Sequence, residues 1–248
     1  MPTPKAGYFI DGVRIPSVTT ITGKFKDSGG IIYWSWDIAF QGLVEARALL
    51  EDSFGDGLMI KQAKEFLKRP LSDWDYKQKR DTAADAGTCA HDMMDSFVHK
   101  REFEASKYKP ELIEMARPAF EAFLEWVKGC NFTIVESEQQ LLSRKYRFGG
   151  TRDAILVNGK RSMCDYKTSN DVYPEYLCQL AAYGLLDEEN GGIIDGGYHL
   201  LKFSKQKAID DPIRFTHFYF SQLDVARSAF LLMRELYDNM KRLEGMLK

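Results

Sequence analysis

Two short stretches carry the side chains best suited to chemistry. Gly149-Gly150-Thr151-Arg152-Asp153 ends on a carboxylate, and after eleven intervening residues Asp165-Tyr166-Lys167 brings a second carboxylate and an ammonium two positions apart. Side chains alternate along a strand, so Asp165 and Lys167 share a face. Carboxylates on neighbouring strands can hold a hard divalent cation such as Mg²⁺ or Mn²⁺. Breaking a phosphodiester requires charge neutralised on the phosphoryl oxygens and water made nucleophilic at neutral pH, and such a cation supplies both. Lys167 would then orient the water and stabilise developing negative charge. Asp-x-Lys alone is more often a surface salt bridge, so its partners decide the reading.

The first partner lies upstream, in Gly87-Thr88-Cys89-Ala90-His91 with Asp95 beyond it. Gly87, His91 and Asp95 are four apart and share one helical face, which would present His91 as a nitrogen ligand. His99, His199 and His217 read as ordinary core or surface histidines. The second partner is Gln179 with Tyr183, again four apart, able to brace the lysine or contact substrate. The third is an acid on the strand before Gly149-Gly150; Glu136 and Glu138 share a face there, and spacing does not choose between them.

These groups need a scaffold that changes period. Tyr8 to Ile10 and Val13 to Ile15 flank Asp11-Gly12, a hairpin turn. Helical spacing is expected over 31–50, 59–67, 74–100 and 110–128, with Ser17, Thr19 and Thr20 available as caps. Beyond Gly129 the pattern alternates: 132–143 is extended, Gly149-Gly150 is expected to break the chain, and 151–157 and 160–167 form strands joined at Asn158-Gly159. A helix over 173–186, strands over 197–203 and 213–220 and a long amphipathic helix over 223–246 complete an α+β fold. The expectation is a single domain over 1–248, with a mainly helical part over 1–130 and a sheet core with its last helix over 131–248.

Composition narrows the partners. The chain has 248 residues, 44% hydrophobic and 28% charged, which excludes disordered and collagen-like classes. Its 34 basic and 36 acidic residues give a net charge of -2, so a polyanion must be gripped locally rather than by a general field. The local basic groups are Lys61, Lys64, Lys68 and Arg69; Lys77, Lys79 and Arg80; Arg144, Lys145 and Arg147; and Lys202, Lys205 and Lys207. Arg144 and Arg147 stand just before the Asp153 strand, and Tyr33, Trp34 and Trp36 offer rings for unpaired bases. The cysteines, Cys89, Cys130, Cys164 and Cys178, are dispersed, and no apolar run reaches the ~20 residues of a bilayer span. A reduced, cytoplasmic setting (the host cytoplasm for a phage protein), with no membrane partner, is expected.

In their order, these pieces resemble the PD-(D/E)XK nuclease superfamily, specifically the RecB-like and phage-exonuclease branch that includes the mitochondrial genome maintenance exonuclease and the CRISPR-adaptation nucleases. The resemblance rests on Pro16-Ser17-Val18-Thr19-Thr20-Ile21, GTxxH at Gly87 to His91, the glutamate strand, GGTxD ending at Asp153, Asp165-x-Lys167, and QxxxY from Gln179 to Tyr183. It implies a restriction-endonuclease-like core with a mixed central sheet flanked by helices. It also implies Mg²⁺ or Mn²⁺ held by Asp153, Asp165, His91 and the main-chain carbonyl of Tyr166. Lys167 would be the signature lysine, Glu138 an acidic catalytic residue, and Gln179, Tyr183 and Asp95 supporting residues. Position 95 is Asp where the GTxxH helix often carries Glu. Cluster-binding relatives carry cysteines after the QxxxY helix; none follows Cys178, so no iron–sulfur cluster is expected.

The implied activity is metal-dependent exonucleolytic hydrolysis of DNA, at ends or in single strands, in phage or recombination and repair processing beside recombination or replication proteins. An endonuclease of the same superfamily and a non-catalytic DNA-binding module are the alternatives. One geometric condition accompanies the reading. A strict two-residue loop at Asn158-Gly159 would set Asp153 opposite Cys164 and turn Asp165 away, so convergence needs a one-residue offset, from a longer loop or a bulge.

Overall fold

Alternation of apolar and polar residues beyond Gly129 builds the sheet that carries the acids. The computed structural model describes residues 7–25, 35, 37, 38, 76–207, 209, 210 and 212–247. Apart from Ser35, Asp37 and Ile38, the expected helices over 31–50 and 59–67 lie outside the described residues, as do Lys61, Lys64, Lys68, Arg69, Tyr33, Trp34 and Trp36. The chain divides into two compact units, one of Met1–Lys26 with Ala86–Lys248 and one of Asp27–Asp85; the sheet belongs to the first.

Strands β1 (Tyr8–Ile10) and β2 (Val13–Ile15) form the expected hairpin, with Asp11 at φ 50° and Gly12 at φ 74° as its turn demands. Helix α1 (Val18–Lys24) follows, capped by Ser17, whose Oγ accepts from the Thr20 N–H at 3.0 Å. Helices α2 (Tyr76–Val98) and α3 (Pro110–Gly129) come next, the second with Pro110 in its first turn.

The central sheet is ordered β3 (Thr133–Ser143), β4 (Phe148–Asn158), β5 (Lys160–Lys167), β6 (Tyr198–Phe203), β7 (Phe215–Phe220). Among the strands of this sheet only β5 and β6 pair in parallel, and a parallel neighbour requires a crossover, which α4 (Pro174–Glu189) provides. Helix α5 (Asp224–Met246) follows the last strand. The expected α+β class is therefore present: a mixed central sheet flanked by helices, with a helical region ahead of it.

Each face of the sheet has its own core. Phe148, Ile155, Met163 and Leu200 pack with Val18 and Ile21 of α1, Leu186 of α4 and Phe230 of α5. Ala154, Leu156, Tyr166, Leu201 and Phe203 pack on the opposite face with Met94 of α2 and Phe123 and Trp126 of α3. Gly149 and Gly150 do not break the chain as expected: both lie inside β4, paired with Leu142 and Leu141. They are glycines because of what packs on them. A Cβ on Gly149 would overlap the Tyr8 side chain, and one on Gly150 would stand 2.9 Å from Tyr183 and Leu186. Among the described residues, no helix is long and apolar enough to cross a membrane.

Candidate metal centre

Register decides whether the acids meet. The β4–β5 ladder pairs Val157 with Arg161 and Asn158 with Lys160, so the turn centres on Gly159 (φ 70°) alone. This is the one-residue offset that convergence requires. Ala154 pairs with Cys164, and the same register carried one step further sets Asp153 opposite Asp165. On the other side, Ser137 pairs with Ala154 and Gln139 with Arg152, which brackets Glu138 opposite Asp153. Three carboxylates thus lie in a row across β3, β4 and β5.

The alternation of β4 breaks at this row. Gly150 and Arg152 meet residues of α4, and Ile155 belongs to the core on that same side, an odd number of positions away. Between them Asp153 turns to the opposite side, toward His91 of α2, followed by Ala154 in the core on that side. The facing Glu138 has φ 49°, a left-handed backbone that an L residue adopts at a cost of about 1–3 kcal/mol. Strain of this kind within a strand, at a residue that meets a histidine, marks a place where side-chain direction outweighs ladder regularity.

His91 Nδ1 lies 3.5 Å from Glu138 Oε1 and 3.5 Å from Asp153 Oδ1. One donor atom from each of the three residues lies within 4.8 Å of the others, little more than twice a metal–oxygen distance of about 2.1 Å. Helix α2 can approach because residue 87 is glycine: a Cβ there would stand 3.0 Å from Thr168 Oγ1, just past β5. Tyr166 contributes its backbone, its N–H donating to Asp153 Oδ2 at 2.6 Å, while its ring sets its edge against the His91 imidazole at 6.1 Å.

A second line of groups runs from β5 into α4. Lys167 Nζ is 2.6 Å from Asp165 Oδ2 and donates to Gln179 Oε1 at 3.1 Å; Gln179 Nε2 donates to the Tyr183 hydroxyl at 2.7 Å. The Lys167 Nζ also stands 4.8 Å from the centre of the Tyr176 ring. Asp165 is fully buried, and its Oδ1 has no hydrogen-bond partner among the described residues.

The charges in this cluster are uneven. Burial works against ionisation of Asp153, yet His91, Lys167 and the Tyr166 N–H together hold its carboxyl well below the usual carboxylate range. Burial pushes the Asp165 carboxyl up to about 7, with the neighbouring Asp153 charge adding to the rise and Lys167 opposing it. Burial would lower the Lys167 ammonium, but Asp165 and Asp153 raise it above the ordinary lysine value. The cluster carries more buried negative charge than its one lysine neutralises. Carboxylate oxygens with one imidazole, and a buried Asp165 oxygen without a partner, fit a hard or borderline divalent cation.

The structure thus brings His91, Glu138, Asp153, Asp165, Tyr166, Lys167, Gln179 and Tyr183 into one region. Glu136, the alternative acid, instead pairs with Arg152 and Arg161. Asp95 is drawn elsewhere: its carboxylate accepts from Arg101 at 2.6 Å and, with help from Ser137 on β3, is held below the usual range despite burial. It braces α2 against the strand that bears Glu138. Arg144 pairs with Asp11 at 3.2 Å, and the Arg147 carbonyl is held by Arg234 at 3.0 Å; neither arginine touches the carboxylate row.

Arg152, the variable position of GGTxD, carries a role that spacing does not reveal. It is 2% exposed and pairs with Glu136 and with Asp187 of α4, and Asp187 also takes Arg161. This ionic group anchors the strand one residue before Asp153. The signal available in the sequence was an arginine between Thr151 and Asp153 in an otherwise apolar strand.

No protein-family model matches the chain, and no curated protein matches it. Among solved structures it is similar to the alkaline exonuclease LHK-Exo from Laribacter hongkongensis, at 13% identity over 52% of this chain and 71% of that one, TM-score 0.32. LHK-Exo in complex with dAMP gives 15% identity over 67% and 97%, TM-score 0.32, and SSO0001 gives 19% over 62% and 72%, TM-score 0.33.

Proposed function

We propose that this chain is a Mg²⁺- or Mn²⁺-dependent deoxyribonuclease of the PD-(D/E)XK superfamily, acting as an exonuclease on DNA ends or single strands. The observation that carries this reading is the convergence of His91, Glu138 and Asp153 beside the buried Asp165 and its partner Lys167. Asp153, Asp165, Glu138 and His91 would hold the cation, with the Tyr166 carbonyl as a further donor. When bound, such a cation neutralises charge on a phosphoryl group and lowers the pKa of water.

The chain's own residues account for the rest. The Tyr166 N–H fixes one oxygen of Asp153 and leaves Oδ1 directed toward His91. Gln179 accepts from Lys167 and donates to Tyr183, which holds the ammonium at the end of β5. From there Nζ can donate to a water or to a phosphoryl oxygen as negative charge develops, without reorganising during the step. Asp165 is fully buried, which strengthens every charge interaction around it.

A purely DNA-binding module would gain nothing from a fully buried carboxylate and a lysine, since an apolar pair of the same size is as stable or more so. The proposed setting is cytoplasmic DNA processing, in a phage or in recombination and repair. The test is a comparison of linear and circular single-stranded DNA with Mg²⁺ or Mn²⁺. Degradation of the linear form alone supports an exonuclease, whereas cutting of the circle assigns endonuclease activity.

A further inference from the structure

A cleft of about 690 Å³ opens between the β1–β2 hairpin, the β3–β4 turn and α5. Its lining includes Arg14, Arg147, Arg234, Lys241 and Arg242 against a single acid, Asp238. In a chain whose net charge is -2, that is a local reversal of sign. Asp238 is already taken, 2.5 Å from Arg234 Nη1, and Arg234 itself is 7% exposed, clamping the carbonyls of Tyr146 and Arg147 at 3.1 and 3.0 Å. Arg14, Arg147 and Arg242 are exposed and have no acidic partner among the described residues. Their guanidiniums are therefore available to an anion from outside.

We propose that this cleft binds successive internal phosphates of a nucleic-acid strand, and so acts as a second grip on DNA apart from the metal centre. This inference rests on the nuclease reading for its choice of polyanion. One feature favours a phosphodiester chain over a single phosphate. The free cations come from three separate elements, the hairpin, the turn and the last helix, and so span a path rather than a point. Arginine's planar fork suits phosphate oxygens. Tyr237 adds a ring to the lining, beneath the Arg234 guanidinium at 5.9 Å.

The cleft is also tied to the catalytic strand. The Tyr8 hydroxyl is hydrogen-bonded to Thr151 Oγ1 at 2.8 Å, and the Gly149 N–H donates to the Pro16 carbonyl at 3.0 Å. Both contacts fall on β4, just before Asp153. A strand held in the cleft would thus be held by the wall that positions the metal ligands. Arg147 sits at φ 53° in the turn, with its carbonyl clamped by Arg234, so its backbone is set rather than free.

The experiment measures equilibrium binding of a fluorescein-labelled oligothymidylate by anisotropy, in chelator so that nothing is cut. Wild type is compared with the exposed-site double variants Arg14→Ala/Arg242→Ala and Arg14→Glu/Arg242→Glu. Mn²⁺ binding to each protein is measured separately by calorimetry. The inference expects the alanine variant to bind at least about tenfold more weakly at moderate salt and the glutamate variant more weakly still. Loss of two phosphate contacts should lower the slope of log K against log salt by about 1.4. Unchanged affinity and slope would overturn it, as would complete displacement of the oligonucleotide by millimolar inorganic phosphate, which would assign the cleft to isolated phosphate groups. Weakened DNA binding in a protein that takes up no Mn²⁺ would leave the cleft standing and remove the metal-dependent reading. Mn²⁺ uptake with unmoved DNA affinity would do the reverse.

Discussion

Lys167 Nζ lies 2.6 Å from Oδ2 of Asp165 at the end of β5, where the carboxylate is fully buried and the lysine only partly so. An ammonium in that place is held by direction as well as by charge, since Gln179 takes a second proton donation at 3.1 Å and is itself fixed by Tyr183. The lysine is thereby the chain's own preset positive charge beside the carboxylate row.

This relationship separates two kinds of variant. Lys167→Ala removes the charge that the proposed function sets against substrate and should lower turnover by about 10²–10³. Gln179→Ala leaves the charge but loosens its aim, so kcat should fall by about tenfold to a hundredfold. Gln179 would be a positioning residue, and its Mn²⁺ affinity by calorimetry should stay within about threefold of wild type. A Gln179→Ala protein with wild-type kcat, or with lost Mn²⁺ binding, would contradict this division.

Arg152 lies on β4 next to Asp153 and joins Glu136 and Asp187 in a buried ionic group. Removing one partner of such a group strands buried charge, so Arg152→Met should reduce unfolding stability by about 3 kcal/mol in urea titration. Adding Asp187→Leu removes a buried charge that then depends on Arg161 alone and should restore part of the loss. Equal stability of wild type and the single variant would mean that the strand does not depend on this group.

How much of this was legible in the residues alone follows from what each part requires. Strand alternation, the Asp11-Gly12 turn and the helical stripe of α3 are local, and local patterns survive in the sequence. The spacing from Asp153 to Asp165 was also readable, including the one-residue offset that convergence would need, though not its place at Gly159. The choice of Glu138 over Glu136 was not readable, because the two share a face in any regular strand. It depends on the left-handed backbone at Glu138 and on the broken alternation of β4, which are products of packing. Arg152 was hidden for a related reason: its partners lie on β3 and α4, and Asp187 carries no local mark of burial. Gly149 and Gly150 were visible as special but misread, since close packing of Tyr8 and Tyr183 calls for glycine as much as a chain break does.

A histidine pair on the far strands gives a pH-dependent stability. His199 on β6 and His217 on β7 are joined Nδ1 to Nε2 at 2.7 Å, and His199 is 4% exposed. Burial, then His217, lowers His199 to about 4 from an ordinary value of 6.5. The unfolded chain therefore takes up this proton first as pH falls. Its contribution is fully present above about pH 6.5 and is lost progressively down to about pH 4, amounting to about 3 kcal/mol. Urea midpoints at pH 7 and pH 4.5 should show the decline in wild type and a smaller one in His199→Gln. Equal declines in both proteins would place the acid sensitivity elsewhere.

The measurement closest to the central claim joins metal to cleavage at one residue. End-labelled single- and double-stranded DNA is incubated with wild type and with Asp153→Asn, each in Mg²⁺, in Mn²⁺ and in chelator, and Mn²⁺ binding is followed by calorimetry on the same preparations. The predicted result is cleavage by wild type with either cation, none in chelator, none by Asp153→Asn, and at least tenfold weaker Mn²⁺ binding in that variant. Cleavage that persists in chelator, or an Asp153→Asn protein that binds Mn²⁺ and cuts DNA as wild type does, would contradict it.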